Sequence, residues 1–167
     1  MGPAFAAVGA GVAALLDSTI VSRYQIVGAQ LQMTLVLVIA ATIVFGFQTG
    51  ISWAFVGGLC LDFFALRPLG STVFALLVAV ALVMITEPIL SRSRYAGCVI
   101  ATLVVTPMFL VISSVTSGLT GTSTPALHPT TLLAAGVANA ALAALLSLLL
   151  IGIKRRAENR ERVLWWR

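Results

Sequence analysis

The sequence predicts an all-α, polytopic membrane helix bundle of about six transmembrane helices, and three observations predict it. Hydrophobic residues make up 60% of the 167-residue chain and charged residues only 9%, whereas soluble domains carry nearer ~25% charge. Mean hydropathy is +1.10. The apolar residues come in continuous runs suited to helices of about 20 residues, not in the ~10-residue alternating segments of a membrane barrel. Little β structure is expected. The runs and their short connections use up the chain, giving one six-span transmembrane domain over residues 1–153 and a basic cytoplasmic tail over residues 154–167.

The first span is expected from Pro3 to Ile20, with small residues at spacing four: Ala6, Ala10 and Ala14 on one ridge, Gly9, Ala13 and Asp17 on the next. Lacking a basic region before it, it reads as a retained span and not a cleaved signal. Asp17 is expected at the membrane interface, as a helix-end acid. Ser22 to Gln32 reads as a loop or a short amphipathic surface piece, with Tyr24 suited to the headgroup region. The second span is expected from Met33 to Phe47, β-branched and leucine-rich, followed by a turn at Gln48-Thr49-Gly50.

The third span, Ile51 to Leu66, organises the reading because Asp62 sits inside its apolar run. A helix-centre Asp costs roughly 2.5 to 3.5 kcal/mol on insertion scales, so it must face protein, water or a partner. Gly50, Ala54, Gly58 and Asp62 recur at every fourth position, a ridge of small side chains ending at the acid. Such a ridge lets a second helix approach closely, from this bundle or from a partner. Arg67-Pro68-Leu69-Gly70 then stops the helix, since proline removes a donor and glycine permits a tight turn. Arg67 is also a candidate local counter-charge for Asp62.

The fourth span is expected from Ser71 to Leu90, with Glu87 near its end paired to Arg92 or Arg94. The fifth runs from Ala96 to Val115 and carries Pro107, which kinks a helix by removing a backbone bond. Ser117 to Thr131 reads as an exposed loop holding His128, the single histidine. The sixth span, Leu132 to Ile153, sets Ala135, Asn139, Ala143 and Ser147 on one ridge, so the Asn139 amide is placed to bond across to a neighbour.

Six of the ten basic residues fall in the last fourteen positions, beginning Lys154-Arg155-Arg156 and ending Trp165-Trp166-Arg167. Beside a span, that pattern is a membrane-interface anchor for anionic lipid, not a nucleic-acid surface. Arg92, Arg94 and the six tail residues fall on one side of a six-span topology, and Arg23 and Arg67 on the other. Positive residues gather inside, which puts both termini in the cytoplasm and Asp17 and Asp62 toward the outer face. The sequence contains no zinc-protease, nucleophile-elbow, phosphate-loop or dinucleotide motif, so no enzyme activity, cofactor or metal is expected. Cys60 and Cys98 have no metal or redox spacing and are not expected to pair.

Gly57-Gly58-Leu59-Cys60-Leu61-Asp62, followed by Arg67-Pro68-Leu69-Gly70 opening the next helix, resembles the rod-shape-determining MreD family. The chain departs from that family's pattern at Gln30-Leu31-Gln32, where a Pro-Asp pair often opens the second span. The resemblance implies a non-enzymatic scaffold of the bacterial inner membrane that pairs with an MreC-like protein and acts with MreB, RodA and a transpeptidase in lateral wall synthesis and cell shape. It also implies a fold like that of energy-coupling-factor S components. The alternative function is such a substrate-binding S component of a vitamin transporter, whose first helix docks through an AxxxA motif that Ala6, Ala10 and Ala14 match.

Overall fold

A computed structural model of the chain describes residues 3–19, 25–26, 29–65, 68–90, 94–119 and 128–164. Six helices fill most of them: α1 (Pro3–Thr19), α2 (Met33–Phe45), α3 (Phe47–Phe64), α4 (Ser71–Leu90), α5 (Arg94–Leu119) and α6 (Pro129–Leu164). Between α1 and α2, β1 (Gln25–Ile26) pairs antiparallel with β2 (Ala29–Gln30), Gln25 opposite Gln30. The expected loop or amphipathic piece at Ser22 to Gln32 is therefore a minimal hairpin in its described part, and it lies against α6.

The bundle is built around α2. This helix is apolar on every side, and a helix with no polar face belongs among other helices. Leu35, Val36, Val38, Ile39, Ala40 and Ala41 are all essentially inaccessible. α2 touches all five other helices, and the rest form a wall around it in the order α1, α3, α4, α5, α6. With 13 residues it is only about 20 Å long at 1.5 Å per residue, short of the ~30 Å hydrocarbon core. The expected second span therefore ends at Phe45, two residues before Phe47.

The turn between α2 and α3 also differs from expectation. It is a single residue, Gly46, held at φ 98°, while Gln48, Thr49 and Gly50 form the first turn of α3. A side chain at that φ is strained, and only glycine adopts it without penalty. α5 continues through Pro107 to Leu119, and α6 begins at Pro129, so both ends of the expected Ser117 to Thr131 loop are helical. α6 also runs on through the basic segment to Leu164. α4 spans Ser71–Leu90, as its flanking Pro68 and Gly70 lead one to expect.

Among the described residues two stretches are long and apolar enough to cross a membrane, Tyr95–Thr116 and Pro129–Gly152, while Val8–Thr19, Met33–Phe45 and Ser71–Thr86 are apolar but shorter. Several hydroxyls within these helices bond to carbonyls one turn back, as Thr42 to Val38 O at 2.7 Å and Thr102 to Cys98 O at 2.7 Å, while those of Thr34 and Thr106 have no such bond. An apolar helix can carry threonine because its hydroxyl is satisfied locally.

Candidate functional site

At one end of the bundle, where α1 and α3 finish and α2 and α4 begin, two carboxylates are buried. Asp62 is wholly inaccessible. Its Oδ2 accepts the Gly70 N–H at 2.7 Å, and its Oδ1 accepts the Thr72 N–H at 3.0 Å and the Ser71 hydroxyl at 3.2 Å. Those donors open α4, whose first N–H groups have no partner within the helix. An acid there also meets the positive end of the helix dipole. The acid of one helix therefore caps the next, and this is what offsets its burial. Gly70 serves the same turn with φ 96°.

Asp17 repeats the device one hairpin earlier. The Met33 N–H donates to its Oδ1 at 2.8 Å and the Thr34 N–H to its Oδ2 at 2.7 Å, closing the start of α2. Asp17 is 8% exposed, so the expected interfacial acid is instead an internal cap. A third acceptor serves the same helix end: Asn139 Oδ1 of α6 takes the Gln32 N–H at 2.9 Å. α2 opens on Gln32 without an acid of its own, and α1 and α6 supply the acceptors. Among the described residues no base pairs with either carboxylate. Arg67, the expected counter-charge, lies outside them.

The small residues do their work inside the chain. Gly58 lies so close to α4 that a Cβ there would come within 2.7 Å of Val73 Cα and 2.9 Å of its N. A Cβ on Gly50 would overlap the Thr42 side chain of α2. Ala54 is fully buried between them. On α1, Ala10 and Ala14 are also fully buried; Gly57 of α3 approaches Ala10, and Gly9 accommodates the ring of Trp53. Ala6 lies in α1, but its side chain is outside the described set, as are those of Lys154, Arg155 and Arg156 in α6 and of Glu87 and Arg94. Arg92, Trp165 and Trp166 are outside it altogether. Pro68 precedes Gly70 in the α3–α4 turn.

α5 and α6 meet at a different close contact. Pro107 has no N–H to offer the Leu103 carbonyl one turn back, and Gly136 of α6 sits against that oxygen, where a Cβ would be 3.3 Å away. His128 is exposed, and its carbonyl accepts the Thr131 and Leu132 N–H groups at the start of α6. Cys60 and Cys98 are free thiols.

Between the two capped helix ends lies a cavity of about 300 Å³. Asp17, Gln32 and Thr72 supply polar walls, and Leu35, Leu61 and Phe109 apolar ones.

The buried acid of α3, the close approach at Gly58 and the Gly70 turn coincide with the motif that carries the resemblance. A family model for rod shape-determining protein MreD matches residues 7–154. The chain belongs to the MreD family. The match runs from α1 into the basic part of α6 and includes both capping acids. With its composition and its two long apolar helices, this MreD-family chain is a membrane protein. No curated protein and no solved structure matches it, so the expected likeness to S components finds no support.

Sequence reasoning singled out Asp62 but not the equal role of Asp17. The signal was present: small residues stand four and eight positions before each acid, Ala13 and Gly9 before Asp17, Gly58 and Ala54 before Asp62. Gly46 and the Gly9–Trp53 contact gave weaker signals, a lone glycine in an apolar run and a lone tryptophan.

Proposed function

We propose that this chain is a non-enzymatic integral scaffold of the cell-wall elongation complex, acting in regulation of cell shape and lateral peptidoglycan synthesis at the bacterial inner membrane. The family match over residues 7–154 carries the reading. The site geometry supports it: Asp17 and Asp62 spend their oxygens on backbone N–H groups of the same chain. Acids held in that way fix helix ends and are poorly placed to relay protons.

The chain crosses the membrane six times with both termini cytoplasmic, a topology supported by the eight-to-two split of Lys and Arg between its two sides. Its partner is an MreC-like protein, with MreB, RodA and a transpeptidase in the same complex, and the tail from Lys154 to Trp166 lies on anionic lipid. Gly50, Ala54 and Gly58 serve this role by holding α3 against its neighbours and Gly70 by shaping the turn into α4, which gives the partner a fixed surface; Arg67 and Pro68 belong to the same partner-facing motif. The S-component alternative is disfavoured by α1, whose Ala10 and Ala14 are buried and touch α3, not free to dock on a transporter.

Co-purification tests the reading. The tagged chain, extracted from membranes in mild detergent, should retain an MreC-like coiled-coil protein. Clean recovery of folded chain without it, together with retention of a transporter coupling subunit, would overturn the scaffold.

A further inference from the structure

Thr106 and Pro107 leave α5 short of bonds at one level. Pro107 gives no N–H to the Leu103 carbonyl, and α6 meets that oxygen with Gly136, which has no side chain to bond it. The Thr106 hydroxyl is fully buried and has no partner among the described residues. One turn earlier, Thr102 donates to the Cys98 carbonyl at 2.7 Å; Thr106 makes no equivalent bond to the Thr102 carbonyl. An enclosed polar group is costly to leave unpaired, and a hydroxyl that bonds one turn back bends its helix. The position of the proline sets the direction of such a bend. Pro107 stands on the side of exposed Leu103, Val104 and Val111, whereas Phe109, two residues on, lies about 200° round the helix and is only 5% exposed. A helix kinks away from its proline because the ring pushes against the carbonyl one turn back, so the part of α5 beyond Pro107 tilts toward the Phe109 side. On that side is the cavity of about 300 Å³, which Phe109 lines together with Leu35, Leu61 and Leu76. The hinge and the space it needs therefore face each other.

We propose that α5 is a hinged helix with two settings, and that the hinge at Thr106 and Pro107 opens and closes the cavity. In the setting of this structure the Thr106 hydroxyl is unbonded and the cavity is open. In the other, that hydroxyl donates to the Thr102 carbonyl, α5 bends further at Pro107, and the Phe109 ring moves in among Leu35, Leu61 and Leu76. Each setting leaves something unsatisfied. The open one strands a buried hydroxyl, and the closed one loosens the contact of the outer part of α5 with α6. The hinge goes beyond the scaffold reading and does not depend on it, so either can fail without the other.

Pulsed electron resonance distances between spin labels test it, on the full chain in nanodiscs with Cys60→Ser and Cys98→Ala. Labels at Leu15→Cys and Val115→Cys, both at exposed positions, measure across the bundle from α1 to the part of α5 beyond Pro107. Labels at Val8→Cys and Ile100→Cys, also exposed, measure to the part before it. Val115 lies eight residues past Pro107, about 12 Å along the helix, so a further kink of about 20° shortens the first distance by about 4 Å. The first pair should show two distances and the second pair one. Pro107→Ala should reduce the first pair to a single distance. Thr106→Val keeps the shape and removes only the unpartnered hydroxyl, so it should fold and show the longer distance alone, while Thr106→Ser should keep both. Ala65→Leu, at an exposed edge of the cavity, should deplete the shorter distance by filling the space that Phe109 enters. A single distance for the first pair in the otherwise wild-type chain, or unchanged populations in folded Thr106→Val, would overturn the hinge. Unchanged populations in Ala65→Leu would overturn its link to the cavity.

Discussion

Replacing Asp62 by alanine removes the acceptor for three donors at once: the Gly70 N–H at 2.7 Å, the Thr72 N–H at 3.0 Å and the Ser71 hydroxyl at 3.2 Å. The serine hydroxyl can turn to another partner. The two N–H groups cannot, because the turn at Gly70 and the first residues of α4 fix them, and the Thr72 residue is only 4% exposed. An orphaned buried donor costs about 1–3 kcal/mol; Thr72 bears that in full and the half-buried Gly70 only part of it, so the loss comes to about 2–4 kcal/mol, more than the ~1 kcal/mol typical of an exposed helix cap. Against a net stability of about 5–15 kcal/mol this is a large fraction. Asp62→Asn keeps one carbonyl acceptor of the same size, so its cost should be about 1–2 kcal/mol, a single weakened bond. Thermal unfolding of the purified proteins in one detergent, with membrane accumulation quantified alongside, measures both. The expected order is wild type, then Asn, then Ala. If both variants unfold with the wild type, the capping argument fails; if Asn is as damaging as Ala, charge and not acceptor geometry is what the site needs.

Asp17→Ala should destabilise by a similar amount, since it orphans the Met33 and Thr34 N–H groups at the start of the central helix, and the same unfolding assay checks it. Gly58→Leu should fail to accumulate in membranes, because its side chain would collide with the Val73 backbone; accumulation at the wild-type level would refute the close approach of α3 to α4. Gly46→Ala should cost about 1–3 kcal/mol of backbone strain at φ 98°. With no neighbour within 4 Å of a Cβ there, that loss should appear in the unfolding midpoint without any steric clash.

What could be read from the sequence was local. α4 was placed at both ends because Pro68 and Gly70 act within a few residues of its start. The buried acid of α3 announced itself by standing in an apolar run. Asp17 did not, because its role depends on a helix that begins sixteen residues later and folds back to bring Met33 within 2.8 Å. The α2–α3 turn is hard to read from the sequence because Gln48 and Thr49 are polar and suggest a loop, whereas the turn is Gly46, held at positive φ. Nor does apolar composition distinguish a helix in lipid from one sheathed by protein, so the central place and short length of α2 emerge only from packing. The cavity, which joins residues from all of the first five helices and the residues just before α2, has no linear signature.

The measurement that bears most directly on the central claim, a scaffold for rod shape, is the length-to-width ratio of cells depleted of this chain in a rod-shaped host. The account predicts rounding on depletion, rescue by the wild-type chain, and rescue by Asp62→Asn in proportion to the folded protein that accumulates. Unchanged cell shape after complete depletion, above all with lost uptake of a vitamin, would contradict it.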